Sequence, residues 1–377
     1  MLDRFKPFLV PVILIIVAAA LYQSKIQREM VDFGVYRTAG ARARAAEPLY
    51  RAEDGHYQFK YLPAFAIAME PFASIDPDVA KTIWFAMSIG LLTAYVRWAV
   101  RALPERRRSE RTLIFLTVVL MAKFYGHELT LGQTNVLLGT LLVAALLAAQ
   151  VDQPYLAGAL IGVAAFVKPY ALVLLPWLAV TYGMATVGIS LLVVAVGLLV
   201  PAFIYGWAGN LELLAAWVKT VSDSTAPNLL VSDNISIAAM WAKWIGPGQA
   251  ASALAIGSTV AAFGLVAAVW NRRRGIDAPE YLEFALLMLF VPLLSPQGWD
   301  YVLLLATPAV VCLVDRWREM HIGWRVSVGV ALALMCLTIF DVMGRDLYGR
   351  FMMWSIVSVA ALALAAALAN LRWKAMA

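Results

Sequence analysis

The chain has 377 residues, of which 62% are hydrophobic and 14% are Asp, Glu, Lys or Arg, with a mean hydropathy of +0.77. A soluble domain carries about 45–50% apolar and ~25% charged residues, so this composition excludes a water-soluble globular protein and describes an integral membrane one. The formal charge of +6 is the Lys and Arg excess that cytoplasmic loops collect, and it requires no nucleic-acid partner.

Apolar runs recur from end to end, and no charged stretch is long enough for a separate soluble domain. Residues 1–377 are therefore expected to form one all-α polytopic membrane domain. A helix needs about 20 apolar residues to cross a ~30 Å hydrocarbon core. The first candidate, "FKPFLVPVILIIVAAALYQ", follows Arg4 and Lys6 as the core of a signal peptide would. No small-residue cleavage site precedes a soluble chain, and an uncleaved span over 7–22 is expected.

Residues 23–78 follow as a first outer loop. Asp32 stands at its start, beside Phe33, Tyr36 and a basic, helix-like run with Arg37, Arg42 and Arg44. It is either a solvated loop carboxylate or a general base held within reach of an attacking hydroxyl. The apolar part of "YQFKYLPAFAIAMEPFA", about 62–73, is too short to span and suits an interfacial or re-entrant helix. Lys60 precedes it, either snorkelling to lipid phosphates or binding a substrate phosphate.

A clear span at 79–100 leads to the basic cluster "RALPERRRSER" (101–111). Shorter apolar runs near 112–125 and 134–149 are joined by "GHELTLGQTN". His127 and Glu128 are adjacent, face different ways on a helix and lack metal-site spacing, so no metal is expected. Gln133 and Asn135 begin the next helix, as caps or as ligands of sugar hydroxyls. Runs at 155–167 and 169–182 meet at "VKPY", where Pro169 disfavours helix at Lys168. A lysine amid apolar sequence faces water, a partner or a ligand; the alternatives are a snorkelling hairpin tip or a cation offered to an anion.

Beyond a span at 186–206, residues 207–250 form a second large outer loop. Its helical apolar spacing from Leu211 to Val221 suits an amphipathic surface helix, and Asn228, Asp233 and Asn234 follow. A span at 251–270, the basic loop "NRRRG" (271–275), a run at 280–294, the link "SPQGWD" with Gln297, Trp299 and Asp300, and a run at 301–314 come next. Trp299 is either an interfacial anchor or a sugar-stacking ring. The loop "DRWREMHIGWR" (315–325), spans at 325–343 and 351–371 and the tail "RWKAMA" complete the chain. Cys312 and Cys336 lie in apolar runs and imply no disulfide framework. With the four basic segments inside, the count is about twelve crossings with both termini cytoplasmic.

Five stretches stand in the order of motifs seen in glycosyltransferase family 87: "DFGVYRTAGARARAAEPLY", "FKYLPAFAIAMEPFA", "LGQTNVLLGTLLVAALLAA", "FVKPYALVLLPWLA" and "LLSPQGWDYVLLLATPAVV". The resemblance runs from about Asp32 to Leu313. It implies a GT-C fold, with interfacial helices over an active site at the outer face of a bacterial inner membrane. It also implies a mannose-type sugar taken with inversion from a polyprenyl-phosphate donor, with no cofactor, and a glycolipid or glycan acceptor. Asp32 occupies the place of the family's base. Tyr301 stands where a histidine often follows the Trp-acid pair, so that histidine's role is not carried over.

Together these readings expect Asp32 as base and Lys60, Lys168 and Arg37 at the donor phosphate. Tyr36, His127, Glu128, Gln133, Asn135, Asn234, Gln297, Trp299 and Asp300 are expected around the sugar and acceptor. The rival expectation is a secondary transporter or lipid-handling protein with a polar outer cavity. Transporters, however, place their sites at paired broken helices near mid-membrane, and one such break is visible here.

Overall fold

The computed structural model describes residues 19–374 apart from Leu21. Nearly all of the expected first span lies outside the described residues. The architecture is all-helical, and among the described residues the only β pairing is an isolated bridge between Asn234 and Trp299.

The segment expected as the first outer loop opens with a π-helical turn, Tyr22–Ile26, and then α1 (Val31–Arg44). The short apolar run forms two small helices, α2 (Pro63–Ala68) and α3 (Glu70–Ala73), packed under α1. Gly40 of α1 lies so close to Met69 that a Cβ there would stand 2.6 Å from its carbonyl oxygen. Phe33, Tyr36, Phe65 and Trp84 bury their rings between these helices and the next one, forming a compact apolar cluster directly beneath α1.

The larger helices follow as α4 (Pro77–Ala102), α5 (Glu110–Leu131), α6 (Asn135–Gln150), α7 (Pro154–Val167), α8 (Leu175–Tyr182) and α9 (Met184–Leu199). After them come α10 (Ala202–Asn228), α11 (Ile237–Ile245), α12 (Gln249–Asn271), α13 (Glu280–Leu294), α14 (Thr307–Asp315), α15 (Ile322–Cys336), α16 (Arg345–Met353) and α17 (Ile356–Lys374). Local chemistry starts and stops them. Asp76 accepts from the backbone N–H groups of Asp78 and Val79, and Pro77 takes the first turn of α4. Ser109 caps α5 in the same way, and Gly132, at φ 68°, ends it in the left-handed region.

Among the described residues, four helices, α4, α5, α12 and α17, are long and apolar enough to cross a membrane. A fifth is counted if the bent pair α9 and α10 is one span. That pair turns by 96° at Val200 and Pro201, so the expected span at 186–206 breaks near its end. The run near 112–125 is longer than its apolar part: α5 continues through "GHELTL", because polar side chains do not stop a helix. The break at Lys168 is present. Its backbone is extended, at φ −153° and ψ 125°, and a 3-10 turn over Pro169–Leu174 follows.

The four basic segments meet at one end of the helices. Arg107 pairs with Glu319 at 2.6 Å, and Asp315 accepts from the backbone N–H groups of Arg107 and Arg108. Glu283 lies within 3.3 Å of Arg273 and 3.5 Å of Arg372, while Arg272 covers the Trp373 ring. Like-signed clusters are thus held together by acids placed between them. The links around Gln133, Lys168 and Gln297 gather at the other side of the core.

Candidate active site

A cavity of about 600 Å³ opens under α1. Asp32, in the first turn of α1, lines it together with Tyr36, Lys60, Tyr61, Lys168 and Tyr301. Its remaining wall is largely apolar, including Val173, Phe263 and Leu294. Three charges of both signs therefore face one space that also has a hydrocarbon-compatible side.

The link between α5 and α6 organises the polar side. Gln133 donates from Nε2 to Asp32 Oδ2 at 2.7 Å and accepts from the Tyr36 hydroxyl at 3.2 Å. Tyr36 and Tyr61 share a hydroxyl–hydroxyl bond of 2.7 Å, and Thr134 reaches Tyr61 at 3.3 Å. Two residues on, Asn135 accepts from Lys168 Nζ at 2.6 Å and donates to the buried Glu128 carboxylate at 2.9 Å. The other Glu128 oxygen accepts from the backbone N–H of Val136 at 2.7 Å, so Glu128 caps α6 as well as orienting Asn135. Gly132 permits this close approach: a Cβ there would stand 2.8 Å from that of Phe33. Its carbonyl accepts from Trp84 Nε1 at 3.0 Å.

Burial raises the Asp32 carboxyl above its ordinary value; the Gln133 hydrogen bond, then Lys168 and two histidines, pull against that. Burial lowers the Lys60 ammonium, with Asp32 opposing. A carboxylate made more basic and held by a neutral amide is suited to take a proton. The ammonium groups of Lys60 and Lys168 in the same space are suited to an anion.

Six of the expected site residues line the cavity: Asp32, Tyr36, Lys60, Lys168, Gln297 and Trp299. Gln133, Asn135 and Glu128 stand behind it and reach it through their hydrogen bonds. Gln133 touches the base candidate, whereas Asn135 and Glu128 are tied to each other and to Lys168.

Four others are placed elsewhere. Arg37 turns away from the cavity and donates to the carbonyls of Phe72 and Ile75 at 3.2 and 3.1 Å, because it stands on the flank of α1 shared with Phe33 and Gly40, which pack against Phe72 and Met69. Asn234 is fully buried and donates to the carbonyls of Asn228 and Pro296, holding the bridge to Trp299. Asp300 pairs with Lys123 at 3.5 Å and accepts from Tyr348 on the far side of Trp299. His127 sets its ring against Tyr301 without lining the cavity.

Tyr61, Tyr170 and Tyr301 are cavity residues that sequence reasoning did not nominate. Lys168 Nζ lies 5.9 and 5.8 Å from the ring centres of Tyr61 and Tyr170, and Gln133 reaches the Tyr301 hydroxyl at 3.4 Å. The aromatic flanks of Lys60 and Lys168 were the available signal, since rings beside an apolar-embedded lysine can screen its charge. Among the described residues, no group of three or more His, Cys, Asp or Glu is placed to hold a metal ion.

The model of glycosyltransferase family 87 matches residues 59–296. The matched segment contains Lys60, Gln133, Asn135 and Lys168, while Asp32 precedes it and Trp299 follows it. No curated protein and no solved structure matches the chain. The match decides between enzyme and transporter over well more than half of the sequence: the chain belongs to glycosyltransferase family 87 and is a membrane glycosyltransferase.

Proposed function

We propose that this glycosyltransferase moves a sugar, mannose by the family resemblance, from a polyprenyl monophosphate carrier to an acceptor hydroxyl on a glycolipid or glycan. Asp32 takes the hydroxyl proton as the acceptor oxygen bonds to the anomeric carbon. The bond from that carbon to the phosphate oxygen breaks, and the configuration inverts. Negative charge collects on the departing phosphate, where Lys60 and Lys168 stabilise it more than they stabilise the intact donor. The observation that carries this reading is that Asp32, Lys60 and Lys168 share one cavity with an apolar side able to hold the first isoprene units.

The same reading puts the chain in a bacterial inner membrane with about twelve crossings, a GT-C arrangement, both termini cytoplasmic and the cavity facing the periplasm. Its support is the gathering of the basic segments at one end and of the polar links at the other. The test is transfer of radiolabelled mannose from polyprenyl-phosphate-mannose to membrane lipids by purified protein, with Asp32→Asn in parallel. Transfer by the wild type and its loss in the variant are expected. Equal transfer by both removes Asp32 as base, and none by either removes this donor.

A further inference from the structure

On the other side of α1 lies a second cavity, of about 430 Å³, whose walls include Gly34, Val35, Thr38 and Arg42 from the helix and Asp54 and Tyr57 from the 3-10 turn Ala52–Tyr57 that follows, with further apolar side chains beside them. Gly34, Thr38 and Arg42 are spaced by four residues and so form one stripe along α1. Val35 and Tyr57 also line the larger cavity and so form a wall common to both spaces, and Asp32, in the first turn of the same helix, lines the larger one. We infer that the second cavity seats the carbohydrate or other polyol group of the acceptor, with the hydroxyl to be glycosylated directed past Val35 and Tyr57 towards Asp32. This assignment rests on the transfer reaction proposed above.

The lining chemistry selects the ligand class. Arg42 and Asp54 form a two-pronged ion pair, its Nη2–Oδ1 arm 2.8 Å long, with their side chains 13% and 20% exposed. The pair is neutral in sum and does not favour a phosphate, in contrast to the two lysines of the larger cavity. Such pairing uses about two of the five guanidinium N–H groups and two of roughly four carboxylate lone pairs. What remains is a fixed array of donors and acceptors side by side, which neighbouring hydroxyls, each both donor and acceptor, can match. Tyr57 is 54% exposed and meets the His56 ring edge-on at 5.3 Å, a steadied aromatic surface that can cover the apolar face of a sugar. Gly34 leaves room beside it, since a Cβ there would meet nothing within 4 Å. In the transfer step the seated hydroxyl gives its proton to Asp32 and its oxygen to the anomeric carbon, and the phosphate departs with the bonding pair.

The open space at Gly34 supplies the test. Both native cysteines are buried, so Gly34→Cys adds one accessible thiol directed into the second cavity. The variant is labelled to completion with fluorescein maleimide. Two quantities are then measured on the same preparation: mannose transfer from polyprenyl-phosphate-mannose to membrane lipids, and equilibrium binding of that donor. Labelling should lower transfer about tenfold or more while leaving the donor's Kd within about twofold. Transfer unchanged after complete labelling, or donor binding lost in parallel with transfer, overturns the assignment. Should Gly34→Cys itself lower transfer before labelling, Thr38→Cys on the same stripe is read by the same two measurements. Unlabelled wild-type protein that transfers no mannose from this donor overturns the underlying reaction, an outcome distinct from either result with the label.

Discussion

Gln133 holds the Asp32 carboxylate at 2.7 Å and the Tyr36 hydroxyl at 3.2 Å, so one amide fixes both the base candidate and the ring beside it. The amide donor favours the ionised carboxylate. Gln133→Met keeps much of the volume and removes both bonds. Turnover should fall about 10²-fold through misplacement of the base, and the acid limb of the pH–rate profile should move to higher pH. A full pH profile of kcat/KM for both proteins checks the two effects separately.

As the proposed base, Asp32 would also link activity to stability. Its carboxyl is raised by burial above the ordinary 3.8, so between that value and the raised one the folded protein keeps a proton that the unfolded chain releases. Stability contributed by this group is therefore complete at low pH and declines as pH rises through that window. Asp32→Asn retains an oxygen that can accept from Gln133 and carries no charge to bury. The variant is expected to lose transfer yet unfold at a higher temperature than wild type at neutral pH, the gap closing below about pH 4. Thermal unfolding in detergent over a pH series measures it.

Lys168 is held by Asn135 at 2.6 Å, and Asn135 by Glu128 at 2.9 Å. Lys168→Met is expected to lower kcat about 10²–10³-fold by removing a cation from the leaving phosphate. Asn135→Leu leaves the ammonium without its acceptor and should cost about 1–3 kcal/mol of stability as well as turnover. Steady-state kinetics beside unfolding curves separate the charge from its support. Equal kinetics for Lys168→Met and wild type would remove the lysine from the reaction.

Arg37 provides the contrasting case. Its guanidinium serves the carbonyls at Phe72 and Ile75, tying α1 to the turn that precedes α4. Arg37→Met should destabilise the protein by about 1–3 kcal/mol and leave the donor KM unchanged. A rise in donor KM without loss of stability would return Arg37 to the phosphate.

Hydropathy and local backbone chemistry were legible before any packing was known. The spans at 79–100 and 251–270 correspond to α4 and α12, because a lipid-facing helix must carry its apolar residues consecutively, whereas the span at 351–371 begins in α16 and becomes α17 only from Ile356, after a break at Ser355 (φ 54°). The break at Lys168 was equally plain, since Pro169 constrains its neighbour through the backbone alone. The family resemblance was legible in the order of five loose motifs. Hydropathy failed where a helix outran its apolar part, as in α5, or bent within it, as at Pro201.

The identity of the polar residues was in the sequence, but their directions were not. "LGQTN" offers Gln133 and Asn135 two positions apart, and nothing local says that one meets Asp32, 101 residues away, while the other meets Lys168, 33 residues away. The rotation of α1 about its axis sends Asp32 and Tyr36 into one cavity, Gly34 and Thr38 into another, and Arg37 to carbonyls in and just after α3. That rotation is set by the burial of Phe33, Tyr36 and Ala39 against α2 to α4, a non-local balance of apolar area that no window along the chain contains. Whether a membrane-edge acid is solvated or positioned therefore depends on contacts made only after these distant helices pack together.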